Sequence, residues 1–274
     1  MTTKPFSGND ERTIASRIDD TTLMELSKLI EDEECMKNLN SYSLVIAGTV
    51  GSGKSTVCES LVYMFNKLNK NQTIITFPEF LYTSDEVLSD KLLCGKLNGS
   101  ISANTLQSFI LDQWKKILKD NIDQQGFRIY ERCVDDSVFC FCNMENQYKN
   151  ISDIQLLGLF DELKQIDNEF NVPSYFIHND SKFVKIDSGE LNNTLKNVIS
   201  IMRHDLTHNI KQRIIGLSVS FEVSKYRIKL RSRNGESCYT DQQIQNYINH
   251  YEKLFQLLIN GDRIYRFVDL GKLL

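Results

Sequence analysis

The stretch SLVIAGTVGSGKST, residues 43–56, decides the fold. Ser43-Leu44-Val45-Ile46-Ala47 is a short apolar run, the pattern of a strand buried on both faces. Gly48-Thr49-Val50-Gly51-Ser52-Gly53-Lys54-Ser55 then satisfies G-x-x-x-x-G-K-[ST], and a helical pattern follows over residues 55–69. Strand, glycine-rich turn and helix in that order make a phosphate cradle, or P-loop. Gly48, Gly51 and Gly53 let the backbone bend so that successive N–H groups face phosphate oxygens. The helix behind them adds unpaired N–H groups and its positive dipole end. Lys54 supplies a mobile positive charge for the β- and γ-phosphates, and Ser55 offers a hydroxyl to Mg²⁺. Ser52 and Thr56 complete the expected phosphate-binding set.

Outward from this element, short apolar runs alternate with longer helical patterns, which signals a parallel sheet covered by crossover helices. Strands are expected at 43–47, 73–77, 127–130, 213–219 and 263–268, and helices at 55–69, 105–119, 154–170 and 240–259. The fold class is therefore α/β: a P-loop, doubly wound, five-stranded parallel sheet flanked by helices. Residues 171–211 break the rhythm and read as an insertion within a 42–274 domain. They hold a polar loop and then Leu191, Leu195, Val198, Ile199 and Met202 at helical spacing. Residues 1–41 form an acidic extension with one amphipathic helix, entered at Thr21 or Thr22 and carrying Leu23, Leu26, Leu29 and Ile30 on one face. That helix either docks on the main domain or meets a partner.

Charge and cysteine content narrow the function classes. Residues 1–41 carry five Lys/Arg and nine Asp/Glu, 5 − 9 = −4, which equals the net charge of the whole chain. The remainder sums to zero, so non-specific nucleic-acid binding is not expected. No run approaches the ~20 apolar residues that span a bilayer, and the amino terminus lacks a signal-peptide core, so no membrane partner and a cytoplasmic location are expected. Seven scattered cysteines without a CxxC pair read as reduced thiols. His204 and His208 are four apart, but the glutamate of H-E-x-x-H is missing and no zinc site is expected.

A P-loop alone does not separate kinase, ATPase and GTPase. The guanine-reading N-K-x-D is absent, and instead of an apolar strand ending in Asp the chain has Phe127-Arg128-Ile129-Tyr130 followed by Glu131-Arg132-Cys133. The run at 73–77 leads into Pro78-Glu79, putting a carboxylate at a strand end, where α/β sheets bind ligands. Near the carboxyl end, Arg227, Arg231 and Arg233 sit on a helix running into Asn234-Gly235-Glu236, the first two on one face.

In this order the motifs resemble the deoxynucleoside kinase family, which includes thymidine, deoxycytidine and deoxyguanosine kinases. The matching segments are GTVGSGKST, PEF, Leu106-Gln107, ERC followed by VDDSVFCF, and RIKLRSRNGES, from about Tyr42 to the carboxyl end. The resemblance implies ATP as phosphate donor with Mg²⁺, a nucleoside acceptor, an arginine-rich lid and a homodimer. It gives Glu79 as general base, Gln107 as the amide that pairs with the base, Glu131 as the aid to Mg²⁺ and Arg132 as the stabiliser of charge at the 5′-oxygen. Phe141 would stack on the base, Arg227, Arg231 and Arg233 would act from the lid, and Glu236 would hold the 3′-hydroxyl. Ile110, Trp114 and Ser137 would surround the base. Their apolar character suits a pyrimidine such as thymidine.

The chain departs from the family pattern in four places. Phe80 follows Glu79 where the family has proline, and Cys133 replaces serine. Tyr82 is the nearest aromatic to a missing tryptophan, and Lys96 falls near the tyrosine that shares the 3′-hydroxyl. The chemistry asks for the same residue types independently. A 5′-hydroxyl needs a carboxylate to take its proton, and arginines offset charge on the moving phosphoryl group. Two other readings share these features. One is a thymidylate-type monophosphate kinase, which would show Asp-Arg at 131–132. The other is a nucleotide-binding regulator without transfer activity.

Overall fold

A computed structural model describes residues 11–79, 86–175, 182–231, 236 and 238–260. Its centre is a five-stranded, wholly parallel sheet in the order β2-β3-β1-β5-β4: β1 Ser43–Gly48, β2 Ile74–Phe77, β3 Phe127–Glu131, β4 Lys182–Asp187 and β5 Gln212–Ser218. Val45 lies opposite Tyr130 on one side and Ile214 on the other, so the P-loop strand is central.

Alternate side chains on each strand point to opposite faces, and each face has its own core. Val45, Ala47, Ile75, Phe77, Tyr130 and Ile214 pack under α6 (Ala103–Asn121), α8 (Asp153–Phe170) and α11 (Asp241–Ile259). Leu44, Ile46, Ile129, Ile215 and Leu217 pack under α2 (Asp20–Ile30), α3 (Glu33–Leu39), α4 (Lys54–Leu68) and α9 (Leu191–Thr207). Short helices α1 (Glu11–Ala15), α5 (Glu86–Leu97), α7 (Asn143–Gln147) and α10 (Phe221–Arg231) complete the set. From β1 the chain crosses by α4 to β2, beyond β3, while β5 lies on the opposite side of β1. The carboxyl ends of the central strands therefore open into a crevice, the usual ligand position in such sheets.

Four of the five strands expected from sequence are present among the described residues. The run at 263–268 lies outside the described residues, and the edge strand is Lys182–Asp187, inside the segment set aside as an insertion. Phe183, Val184, Lys185 and Ile186 are only half-buried, as in an edge strand, so the segment lacks the continuous apolar run that marked its neighbours. Phe183 packs on Phe255, with ring centroids 5.0 Å apart. The amphipathic run after β4 becomes α9, which takes part in the sheet's second core.

The amino-terminal helix is also revised. Asp19, not Thr21 or Thr22, caps α2, accepting from the Thr22 N–H at 2.7 Å. The single helix read over this region divides at Glu31 and Asp32, because the Asp32 carboxylate accepts from the Glu34 and Cys35 N–H groups and starts α3. Both helices dock: Leu26, Leu29, Cys35 and Leu39 are fully buried in the core that holds Leu195, Val198, Met202 and Leu206. No helix among the described residues is long and apolar enough to cross a membrane.

Two buried polar groups beneath the sheet invite measurement. Asp205, fully buried, accepts from Tyr42 at 2.8 Å and from Arg213 Nε at 2.7 Å. Replacing Arg213 with methionine should leave that carboxylate without its cation and cost about 3–5 kcal/mol in denaturant unfolding. Asp135, Asp136 and Asp167 lie buried along the stretch that holds residues 172–175, with Asp135 accepting from Ser174 Oγ at 2.8 Å and Asp136 from the Tyr175 hydroxyl at 2.6 Å. Burial pushes all three carboxyls above the ordinary aspartate range. A raised folded value means the folded chain holds more protons, so stability falls as pH rises from about 4 through neutrality. Thermal melts of Asp167→Asn should show a gain over the parent at pH 8 and little difference at pH 4.

Candidate active site

The P-loop backbone shows what its glycines are for. Gly51 has φ +73°, and a Cβ there would stand 2.7 Å from the Ser224 carbonyl oxygen at the start of α10. Ser224 Oγ in turn donates to the Val50 carbonyl at 2.7 Å, fastening α10 to the loop. Gly48 (φ +145°) and Gly53 (φ +95°) also lie in conformations that a side chain would strain. Lys54 is buried and donates to the Thr49 carbonyl at 2.9 Å. Thr49 Oγ1 and Ser52 Oγ are buried without a partner, and such groups call for a polar ligand or water. A strand, this loop and α4 behind it form a cradle fitted to an oligophosphate.

Beside the cradle, two strand ends deliver three charged groups to one point: β2 brings Glu79, and β3 brings Glu131 and Arg132. Ser55 Oγ, at the start of α4, donates to Glu131 Oε1 at 2.6 Å, and Glu131 Oε2 accepts from the Glu79 N–H at 3.4 Å. Arg132 Nε donates to Glu79 Oε1 at 2.9 Å, and Arg132 Nη1 donates to the Gly48 carbonyl at 2.7 Å and to the Tyr251 hydroxyl. The Arg132 backbone sits at φ +78°, a left-handed conformation costing about 1–3 kcal/mol for a residue with a side chain.

The charges shape one another. Burial pushes the Glu131 carboxyl up, and the neighbouring Glu79 charge adds to the rise. Burial would raise Glu79 too, but Arg132 and Lys54 outweigh it and hold that carboxyl well below its usual range. Lys54 is brought down to about 8 by burial and by Arg132. Glu79 is therefore held as a carboxylate, while Ser55 and Glu131 present two oxygens at the cradle that suit a hard divalent cation such as Mg²⁺.

Two cavities meet at this cluster. The larger, about 460 Å³, is lined by Gly51, Ser52, Gly53, Lys54, Ser55 and Thr56, and by Arg227 and Arg231 of α10. Its far wall is Arg17, Ser188, Glu190, Leu191, Asn192 and Thr194, none of which sequence reasoning assigned to the site. The smaller, about 50 Å³, contains Glu79, Glu131 and Arg132 together with Gln107, Ile110, Trp114, Ser137 and Phe141. Gln107 Oε1 is buried there without a partner. A π-helical turn over Ser137–Cys142 places Ser137 and Phe141 in this cavity, a distortion found often at functional sites. Phe141 lies 5.2 Å from the Arg132 guanidinium, near enough for a cation–π contact.

Every expected site residue within the described set falls on one of these cavities, except Gly48 and Glu236. Gly48 accepts from Arg132. Glu236, buried, forms an ion pair with Arg231, so an expected lid arginine and the expected 3′-hydroxyl carboxylate hold each other. Arg233 lies outside the described residues, as do Phe80 and Tyr82. His204 and His208 stack on each other, with ring centroids 4.3 Å apart, and no group of three metal-ligating side chains occurs among the described residues. Sequence reasoning missed Tyr251, whose helical spacing marks it only as core, and Glu145, which pairs with Lys96 beside Tyr247 at the edge of the small cavity.

The chain carries a P-loop α/β fold. No protein-family model matches it, and no curated protein sequence does. Among solved structures it is similar to deoxyadenosine kinase from M. mycoides with bound dATP, at 18% identity over 81% of this chain and 87% of that one, with a TM-score of 0.46. It is similar also to that enzyme with bound dCTP and to that enzyme with the products dCMP and a flexible dCDP, each at 15% identity over 84% of this chain and 96% of the other, with TM-scores of 0.49. At such identities the roles of individual residues follow from the geometry above.

Gly51→Ala tests the cradle directly. The added methyl group meets the Ser224 carbonyl and the positive φ becomes strained, so affinity for a fluorescent ATP analogue should fall by at least about tenfold, the effect of roughly 1.4 kcal/mol. Equilibrium titration reads that loss, and circular dichroism checks that the fold persists.

Proposed function

We propose that the chain is an ATP-dependent kinase that phosphorylates the 5′-hydroxyl of a deoxyribonucleoside, with a pyrimidine favoured. The observation that carries this reading is the chain of contacts Ser55–Glu131–Glu79–Arg132. It joins the phosphate cradle to an apolar cavity containing an unpartnered amide oxygen, that of Gln107. An ATPase needs the cradle and a positioned water; the second cavity, with its single amide and apolar walls, is what an acceptor base requires.

Each residue then has a task. The P-loop, Lys54 and the lid arginines Arg227, Arg231 and Arg233 hold the triphosphate. Glu79 accepts the 5′-hydroxyl proton as its oxygen attacks the γ-phosphorus, and Arg132 offsets the charge gathering between them. Ser55 and Glu131 would hold Mg²⁺, which when bound offsets phosphate charge. Gln107 pairs with the base between Ile110, Trp114 and Phe141, with Ser137 near its rim. Glu236 leaves Arg231 to take the sugar 3′-hydroxyl. Ile110, Trp114 and Phe141 around the one amide of Gln107 favour thymine or cytosine over a purine. The family resemblance adds a homodimer, which sedimentation would register as twice the 31.7 kDa chain.

The deciding assay supplies γ-labelled ATP and Mg²⁺ with thymidine, deoxycytidine, deoxyadenosine, deoxyguanosine and their monophosphates. Label on a nucleoside, strongest on a pyrimidine, is the expected result. Label confined to monophosphates would transfer the reading to a monophosphate kinase, and label on neither would leave a nucleotide-binding regulator. Glu79→Gln and Lys54→Ala should each lower turnover by at least about 10². A near-normal rate in Glu79→Gln would remove that residue as the base.

A further inference from the structure

Cys94 on α5 and Cys238, in the turn between α10 and α11, lie 144 residues apart in sequence with their sulfur atoms 2.9 Å apart. The sulfurs need to approach by only about 0.9 Å to reach the ~2.05 Å of a disulfide. Cys238 is exposed, and Cys94 is partly so. The other five thiols, Cys35, Cys58, Cys133, Cys140 and Cys142, are buried. Oxidant from solvent therefore meets this pair first.

The position of the pair gives it a consequence. Leu93 and Lys96, on either side of Cys94, line the small cavity, and so does Tyr239, next to Cys238. That cavity measures about 50 Å³, whereas pockets that bury small organic ligands run to roughly 300–1,000 Å³. An acceptor enters only if these walls separate. Lys96, which donates to the Tyr247 hydroxyl at 3.2 Å and pairs with Glu145, is a non-covalent tie across the same seam. Thiols in contact are a tie that can be made covalent.

We propose that Cys94 and Cys238 form a reversible disulfide that fastens α5 to the segment carrying Tyr239 and holds the small cavity shut. With a peroxide as oxidant, the Cys238 sulfur attacks the O–O bond and becomes a sulfenic acid, releasing water. The Cys94 sulfur then displaces the sulfenic oxygen as a second water. Two thiols and one hydrogen peroxide give one disulfide and two waters. A dithiol reductant reverses the step by exchange.

Closure of the cavity is independent of the kinase reading, while its effect on catalysis rests on that reading, so the test measures the two separately. The full chain is treated with hydrogen peroxide and alkylated, then digested, and a Cys94–Cys238 linked peptide is sought by mass spectrometry. Trp114, the single tryptophan, is 2% exposed and lines this cavity, so acrylamide quenching of its fluorescence reports opening without any substrate. Oxidation should yield the linked peptide and lower the quenching constant, and dithiothreitol should restore it. Cys238→Ser and Cys94→Ser should not respond. In the kinase assay, oxidation should raise the acceptor KM by about tenfold or more as the open fraction falls, with the KM for ATP unchanged, because neither cysteine lines the larger cavity. Absence of the linked peptide, unchanged quenching in its presence, or an unchanged acceptor KM in an active enzyme would each overturn the proposal. If no nucleoside is phosphorylated but linkage and reduced quenching are seen, the disulfide stands and the assigned acceptor falls.

Discussion

The Arg132 guanidinium is the point on which the site's geometry depends. It leaves the end of β3 from a left-handed backbone, and its own N–H donates to the Ile46 carbonyl on β1 at 3.0 Å. Its side chain reaches the P-loop at Gly48, the end of β2 at Glu79 and helix α11 at Tyr251. Four parts of the chain that are distant in sequence are thereby fixed to one planar fork. Burying a guanidinium is costly unless its donors are satisfied, and here the cost is offset by a carboxylate, a carbonyl and a phenol. A lysine could not replace it, since a single ammonium lacks the divergent donors that hold these elements apart at set distances.

The same fork divides two environments. On one side the cradle offers backbone N–H groups, a lysine and the arginines Arg227 and Arg231, an environment for anions. On the other lie Ile110, Trp114, Phe141 and the Gln107 amide, with Lys96 and Glu145 at the edge. Glu79 and Glu131, adjacent yet shifted in opposite directions, stand at the boundary. Two neighbouring carboxyls whose surroundings drive them apart mark a candidate functional site.

Much of this was legible because it is written locally. The P-loop declares itself within eight residues, since strand, turn and helix each impose their own composition there. Glu79 and Glu131 were readable as carboxylates at strand ends, and Gln107 by its place in an ordered series of motifs. What sequence did not show depends on packing between distant segments. β4 alternates Lys, Phe, Val, Lys, Ile and Asp, and only its place at the sheet edge explains why a half-polar run is a strand. Asp32 divides a helix whose apolar spacing gave no sign of a break, because a side chain competing for backbone N–H groups leaves the periodicity intact. Tyr251 carries the same spacing as its core neighbours and differs from them only in where its hydroxyl ends. The pairing of Arg231 with Glu236 joins two residues that the motifs had assigned to different ligands.

One contact has a wider bearing on the energetics of nucleotide capture. Arg227 Nη1 donates to the Gly51 and Ser52 carbonyls at 3.4 and 3.2 Å, and Nη2 to those of Ser188 and Gly189 at 2.6 and 3.2 Å. Those carbonyls belong to the rim of the larger cavity, so the arginine is already occupied before any anion arrives. Recruiting it to a triphosphate is an exchange of neutral acceptors for charged ones, and the affinity gained is the difference between the two sets. What is held by such a difference is also released at low cost.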